Sequence, residues 1–200
     1  MANDLGKSYK NFHKPNQKET SRTFQGYYIV VNKQKYIGDP NLIIYRSAWE
    51  YSFLRWCDHS PSIIKFSSEP ISVSYLDKIS KLEECKKYGL NPNDPRYFVK
   101  RNYHVDFWIV IDKGNGITEK MFVEIKPKSQ YIKPIPPPPN APQKLQKQFV
   151  LNAKQYLINE AKWQAMSEYA KKVGSSFYVF NEDTLQKIIG NFFLEKPPTK

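Results

Sequence analysis

Cysteine, histidine and acidic charge are all scarce in this 200-residue chain. Its two cysteines, Cys57 and Cys85, form no CxxC pair, and with His13, His59 and His104 they make no zinc-ligand set. Zinc-ribbon chemistry is therefore set aside, and a reducing compartment fits so few thiols. No apolar run approaches the roughly 20 residues that a membrane span requires. The opening MANDLGKSYK lacks an apolar core segment, so no signal peptide is expected and the chain is read as soluble and intracellular. There are no internal repeats. Only 19 acids face 31 Lys and Arg, giving a formal charge of +12 and a pI near 9.5. That balance favours a polyanionic partner, nucleic acid ahead of an anionic membrane surface.

What is present suffices for a core. Hydrophobic residues make up 40% and aromatics 15%, and the length suits one domain, or one domain with arms. Residues 1–40 are polar and basic, and through Arg46 eight Lys or Arg stand against three acids. They read as an arm able to track a phosphate backbone, or as a solvated tail, with one short strand at 27–31. The domain proper is placed at 41–200. Gly38-Asp39-Pro40-Asn41 is a turn. Ser47 then caps a helix over 47–58, with Glu50 at the capping-box position and Trp49, Phe53 and Trp56 as its buried stripe.

Strands are predicted at 62–67, 70–76, 97–112 and 117–126, the 97–112 strand with a possible bend. KGNG (113–116) serves as the hairpin turn before the last of them. The polar stretch 77–96 reads as an insertion with a short helix at 80–88. KPIPPPPNAP (133–142) can be neither helix nor central strand, and is read as a stiff spacer. A helix over about 145–173 carries Phe149, Tyr156, Trp163 and Ala170 at sevenfold spacing, and Gly174 follows it as the expected C′ residue. A strand at 176–180 and a short helix at 184–193 complete the chain. The expected fold class is α/β with a mixed sheet flanked by helices.

The residues that do not fit a plain core lie in MFVEIKPKSQ (121–130). Glu124 and Lys126 interrupt an apolar strand, and alternation puts both on one face with Ile125 on the other. If the KGNG hairpin pairs its two strands, Asp106 lies opposite Glu124 to Lys126. Two converging carboxylates repel each other unless a cation sits between them, and Mg²⁺ is the natural occupant. The Ile125 carbonyl is a candidate third oxygen. Lys126 beside them would orient or help deprotonate a water, or offset phosphate charge. Such a site hydrolyses a phosphodiester. The competing reading is a surface salt pair of little consequence. Glu50 is either a capping-box acid or a third carboxylate delivered from its helix.

These residues resemble a known family. Asp106 followed by Glu124-Ile125-Lys126 resembles the PD-(D/E)xK nuclease signature, with His-Val in place of the usual Pro before Asp. The glutamate in YRSAWE (45–50) is similar to that of the TnsA-like branch. KYIGDPNLIIYRSAWE, FSSEPISVSY, YHVDFWIVI and VEIKPKSQ, together with the helix from Lys162-Trp163 to Tyr169-Ala170, resemble the head completion nucleases of T-even-type tailed phages.

The resemblance spans about 35–180 and implies a restriction-endonuclease-like fold. It implies Asp106 and Glu124 as metal ligands, Lys126 as the catalytic lysine and Glu50 as the helical acid, a further ligand. Mg²⁺ is the expected cofactor, with Mn²⁺ able to substitute. The candidate DNA contacts are Arg46, Lys128, Ser129, Gln130 and Lys162. The implied activity is cleavage of double-stranded DNA late in head maturation, after packaging and before tail joining. The implied partners are phage portal or neck proteins, with no membrane, and the protein would be made in the host cytoplasm and reside in the virion.

The insertions at 77–96 and 133–142 depart from the shortest members and bear on partner surfaces more than on chemistry. Glu69, within a family-like string, is given a structural role, and His104 reads as an edge histidine or a residue behind the metal site. Two other functions remain open: a non-catalytic neck protein that holds DNA with a nuclease fold, and a TnsA-like transposase or restriction subunit.

Overall fold

A computed structural model describes residues 25–193 of the chain, so most of the basic arm lies outside the described residues. Four strands form the central sheet: β3 (Ile63–Ser68), β6 (Phe107–Gly114), β7 (Ile117–Ile125) and β8 (Ser176–Phe180), in the order β3-β6-β7-β8. The β3-β6 and β6-β7 pairs are antiparallel and β7-β8 is parallel, so the sheet is mixed. The KGNG turn closes β6 onto β7 through left-handed backbone at Gly114, Asn115 and Gly116, residue types that accept positive φ at little cost. Two antiparallel pairs flank the sheet: β1 (Gly26–Tyr28) with β2 (Ile43–Tyr45), and β4 (Ser72–Asp77) with β5 (Val99–His104).

Alternation along β6 and β7 divides the core. Phe107, Ile109, Met121, Val123 and Ile125 face one side. There they pack on Phe53, Leu54 and Trp56 of α1 (Ala48–His59) and on Leu185 and Ile189 of α5 (Glu182–Ile189). Phe122 faces the other side with Tyr75, Tyr103 and Val105, and with Met166 and Ala170 of α4 (Gln143–Lys172). Elements α2 (Leu82–Lys87) and α3 (Lys128–Tyr131) are single short turns.

Three expectations are modified. The strand predicted over 97–112 is two strands, broken at Val105-Asp106. Its first part pairs with β4 and its second with β3 and β7. In α4 the buried positions are Asn159, Met166 and Ala170, while Phe149, Tyr156 and Trp163 stay half-buried, because only the C-terminal half of the helix packs on the core. Residues 26–31 join the domain although sequence alone groups them with the arm. Tyr28 and Val30 are buried, and a buried carboxylate on α1 holds the segment.

That carboxylate is Asp58. It accepts from the Tyr28 hydroxyl and from the backbone N–H groups of Val31 and Asn32, each at 2.8 Å. Burial alone would raise its pKa, but these donors outweigh it and leave the group below its ordinary value. The sign follows: Asp58 contributes stability above its unfolded pKa of about 4, and loses it as pH falls through the folded value. Asp58→Ala leaves the buried Tyr28 hydroxyl and two part-buried backbone N–H groups without their acceptor, and is expected to cost about 3 kcal/mol in urea unfolding at pH 7, with the deficit shrinking in acid.

Candidate active site

The site forms where the long strand breaks. Extending the β6-β7 register past Phe107↔Val123 sets Asp106 level with Glu124. The break frees the Asp106 side chain from the ladder, and its Oδ2 accepts the Ile125 N–H at 2.7 Å. Its backbone is held from the other side as well, since the Asp106 carbonyl accepts the Glu69 N–H at 2.9 Å. Glu69 makes that contact with φ at +45°, a strained value for a residue with a side chain. The structural role expected of Glu69 thus has a location.

Glu124 is 2% exposed and its carboxylate is fully engaged. The Tyr103 hydroxyl donates to Oε2 at 2.6 Å, the Asp106 N–H reaches the same oxygen at 3.3 Å, and Lys126 Nζ lies 2.8 Å from Oε1. The strand alternation read from the sequence is present: Glu124 and Lys126 share a face, and Ile125 packs in the opposite core. Burial, and then the charge of Glu124, push the Asp106 carboxyl well above the usual carboxylate range, with Lys126 partly opposing them. Burial depresses the Lys126 ammonium, but Asp106, Glu124 and Glu50 together outweigh it and hold its pKa above the ordinary value. Burial and Glu124 raise the Tyr103 phenol far above its ordinary range, so it remains a donor.

Glu50 approaches from the first turn of α1. Ser47 accepts the Glu50 N–H at 3.1 Å, and the Glu50 carboxylate accepts the Ser47 hydroxyl at 3.1 Å and the Arg46 N–H at 2.7 Å. Ser47 therefore caps the helix as expected, while Glu50 reaches back one residue further, to the N–H of Arg46. Burial raises the Glu50 pKa, and its charge is felt at both Asp106 and Lys126. Among the described residues, however, no three His, Cys, Asp or Glu side chains stand arranged to hold a metal ion together. Glu50 turns both oxygens back to its own helix, so the three-acid set of Asp106, Glu124 and Glu50 is gathered but not assembled.

The candidate DNA contacts surround this point unevenly. The Arg46 guanidinium is paired with Glu69, and the Lys128 ammonium with Asp183 at 2.7 Å. Ser129 and Gln130 are exposed on α3, immediately past the strand end. Lys162 makes no ion pair among the described residues. Its ammonium stands 5.8 Å from the Tyr75 ring centre and 5.7 Å from that of Tyr103. Burial and the neighbouring Lys126 lower its pKa. Lys126 and Lys162 thus share the electrostatics of one site, an arrangement suited to an anion.

Sequence reading passed over Tyr103. The available signal was its alternation with Val105 on the buried side of a strand, since a buried phenol requires a partner for its hydroxyl. His104, by the same alternation, is exposed.

A mixed sheet flanked by helices, with Asp, Glu and Lys gathered at one strand end, is a restriction-endonuclease-like arrangement. Residues 60–182 match the family described as the TnsA-like endonuclease N-terminal domain, and the chain belongs to that family. The matched stretch contains Asp106, Glu124 and Lys126 and leaves Arg46 and Glu50 outside it. The chain is also 31% identical over 165 residues to the head completion nuclease of Enterobacteria phage T4, covering 82% of this chain and 95% of that protein. Among the described residues no helix is long and apolar enough to cross a membrane.

Proposed function

We propose that this chain is a divalent-cation-dependent endonuclease that hydrolyses phosphodiester bonds of double-stranded DNA during completion of a phage head. The observation that carries the reading is the mutually repelling pair of half-buried Asp106 and buried Glu124, with Lys126 beside them at the end of an apolar strand. In proteins of this size two such carboxylates oppose folding unless they serve a site. Hard carboxylate donors fit Mg²⁺ or Mn²⁺, which keep several waters and need few protein ligands. When bound, the cation would supply charge neutralisation and a more acidic water. Asp106 and Glu124 would hold it, and Glu50 would join through a turn of its carboxylate away from the cap.

The chain's own groups do the rest. Lys126 supplies a positive charge beside the reacting phosphate and orients the water that attacks it. The Asp106 backbone is fixed through the Glu69 N–H and its side chain through the Ile125 N–H, so the carboxylate does not need to reorganise. Lys162 meets a neighbouring phosphate from α4, with Arg46, Lys128, Ser129 and Gln130 along the same rim. The name of the phage T4 relative supports a role in head completion, and the stage we assign is after packaging and before tail joining, in the virion and against portal or neck proteins.

The test is cleavage of duplex DNA by purified protein with Mg²⁺ or Mn²⁺, with 5′-phosphate and 3′-hydroxyl ends expected. Ends of the opposite kind refute the mechanism. The rim can be ranked. Lys162→Ala removes a cation that makes no ion pair among the described residues, so duplex affinity should fall about five-fold, with a salt slope shallower by about one, in fluorescence anisotropy titrations. Lys128→Ala removes a charge already engaged by Asp183 and should change affinity less.

A further inference from the structure

The two oxygens of Glu124 are not equivalent. Oε2 is held by two donors that cannot leave. One is the backbone N–H of Asp106, and the other is the hydroxyl of Tyr103, whose ring is 5% exposed and packed with Val105, Phe122 and Met166. Lys162 over the ring face further restrains it. Oε1 has one partner, the Lys126 ammonium, at the end of a flexible stem whose side chain keeps 27% of its exposure. A buried carboxylate with one oxygen pinned twice cannot rotate without orphaning a buried hydroxyl. The only exchange that leaves the core intact is at Oε1.

We propose that Tyr103 is a positioning residue that fixes Glu124 through Oε2, so that Oε1 exchanges Lys126 for a divalent cation. This rests on the cation-dependent reading above. Lys126 then holds the cation's place in the resting protein and is released toward the phosphate when the cation arrives. Cation and ammonium compete for one oxygen, and the hydroxyl of Tyr103 makes that oxygen available in a fixed place.

The competition separates two substitutions that would both impair cleavage. Tyr103→Phe leaves the ring in its packing and frees Glu124 to turn, so cation binding should weaken about ten-fold, the lower end for a residue that orients a metal ligand. Lys126→Met removes the competitor, so binding should tighten several-fold although cleavage is lost. Mn²⁺ binding to the full chain without DNA, followed by electron paramagnetic resonance, reads both, with thermal melts checking that each variant folds. In cleavage assays Tyr103→Phe should require more Mn²⁺ for half-maximal rate and recover most of kcat at saturating Mn²⁺, with the KM for duplex unchanged. A purely structural role would depress the rate equally at every Mn²⁺ concentration.

Unchanged Mn²⁺ affinity in Tyr103→Phe, or affinity in Lys126→Met no tighter than wild type, overturns the proposal while Mn²⁺ binding abolished by Asp106→Asn keeps the cation reading. If the wild-type chain binds no Mn²⁺, both fall together.

Discussion

Asp106→Asn is expected to remove cleavage and stabilise the fold. The carboxylate of Asp106 is held at the strand break by the Ile125 N–H, a bond that the Asn carbonyl oxygen can also accept. What disappears is a negative charge held against the buried Glu124. Loss of a cation ligand at a hydrolytic centre removes several kcal/mol of transition-state stabilisation, about 10³-fold or more in rate. In metal-free buffer at pH 7 the same change should raise stability by about 1 kcal/mol, the usual scale when a strained functional group is replaced.

The pH dependence gives this prediction a second edge. Because burial and Glu124 raise the folded pKa of Asp106, the native state binds more protons than the unfolded chain. The contribution of Asp106 to stability is then greatest below the unfolded pKa of about 4 and declines as pH rises through the folded value. Asp106→Asn lacks that decline. The two melting curves should coincide near pH 3 and separate as pH rises toward neutrality. Equal melting temperatures at pH 7 would mean that the two carboxylates do not repel as the geometry requires.

Lys126→Ala should be inactive for a different reason and unstable as well. Its ammonium is the counter-charge to Asp106, Glu124 and Glu50. Removing one partner of such a buried set leaves the others uncompensated and costs about 3 kcal/mol. Lys126 has its folded pKa raised, so its contribution is present throughout the neutral range and is lost only as pH climbs through that folded value. The deficit of Lys126→Ala in urea unfolding should therefore persist from pH 6 to 8. Divalent cation should restore more stability to Lys126→Ala than to wild type, because it replaces the missing charge. Two inactive variants with opposite stability changes distinguish a tuned charge cluster from a generally fragile core.

Much of this site was legible because it violates the pattern around it. Glu124 and Lys126 break an apolar strand, KGNG names the hairpin, and the register follows from the two, which places Asp106 level with Glu124. The spacing of Ser47 and Glu50 points to a helix cap, and the Ser47 cap is present, with Glu50 turned back to the Ser47 hydroxyl and the Arg46 N–H. The sequence could not show that the strand over 97–112 breaks at Asp106. Apolar and aromatic residues alternate on both sides of Asp106 as in one continuous strand, and the break comes from β5 leaving the sheet to pair with β4. Nor could spacing reveal that Arg46 and Lys128 are paired with Glu69 and Asp183, partners 23 and 55 residues away. The clamp on residues 26–31 was hidden for the same reason: Asp58 lies 27 residues from Val31. Long-range partners of charged groups are set by topology, and local pattern carries no record of them.

Asp106, Glu124 and Lys126 are proposed to hydrolyse duplex DNA with a divalent cation. The most direct measurement is cleavage of linear and supercoiled duplex by the purified chain, in EDTA and across a Mg²⁺ titration, alongside Asp106→Asn. No cleavage is expected in EDTA, activity should rise and saturate with Mg²⁺, and the variant should show none at any Mg²⁺ concentration. Cleavage undiminished in EDTA, or retained by Asp106→Asn, would contradict this mechanism.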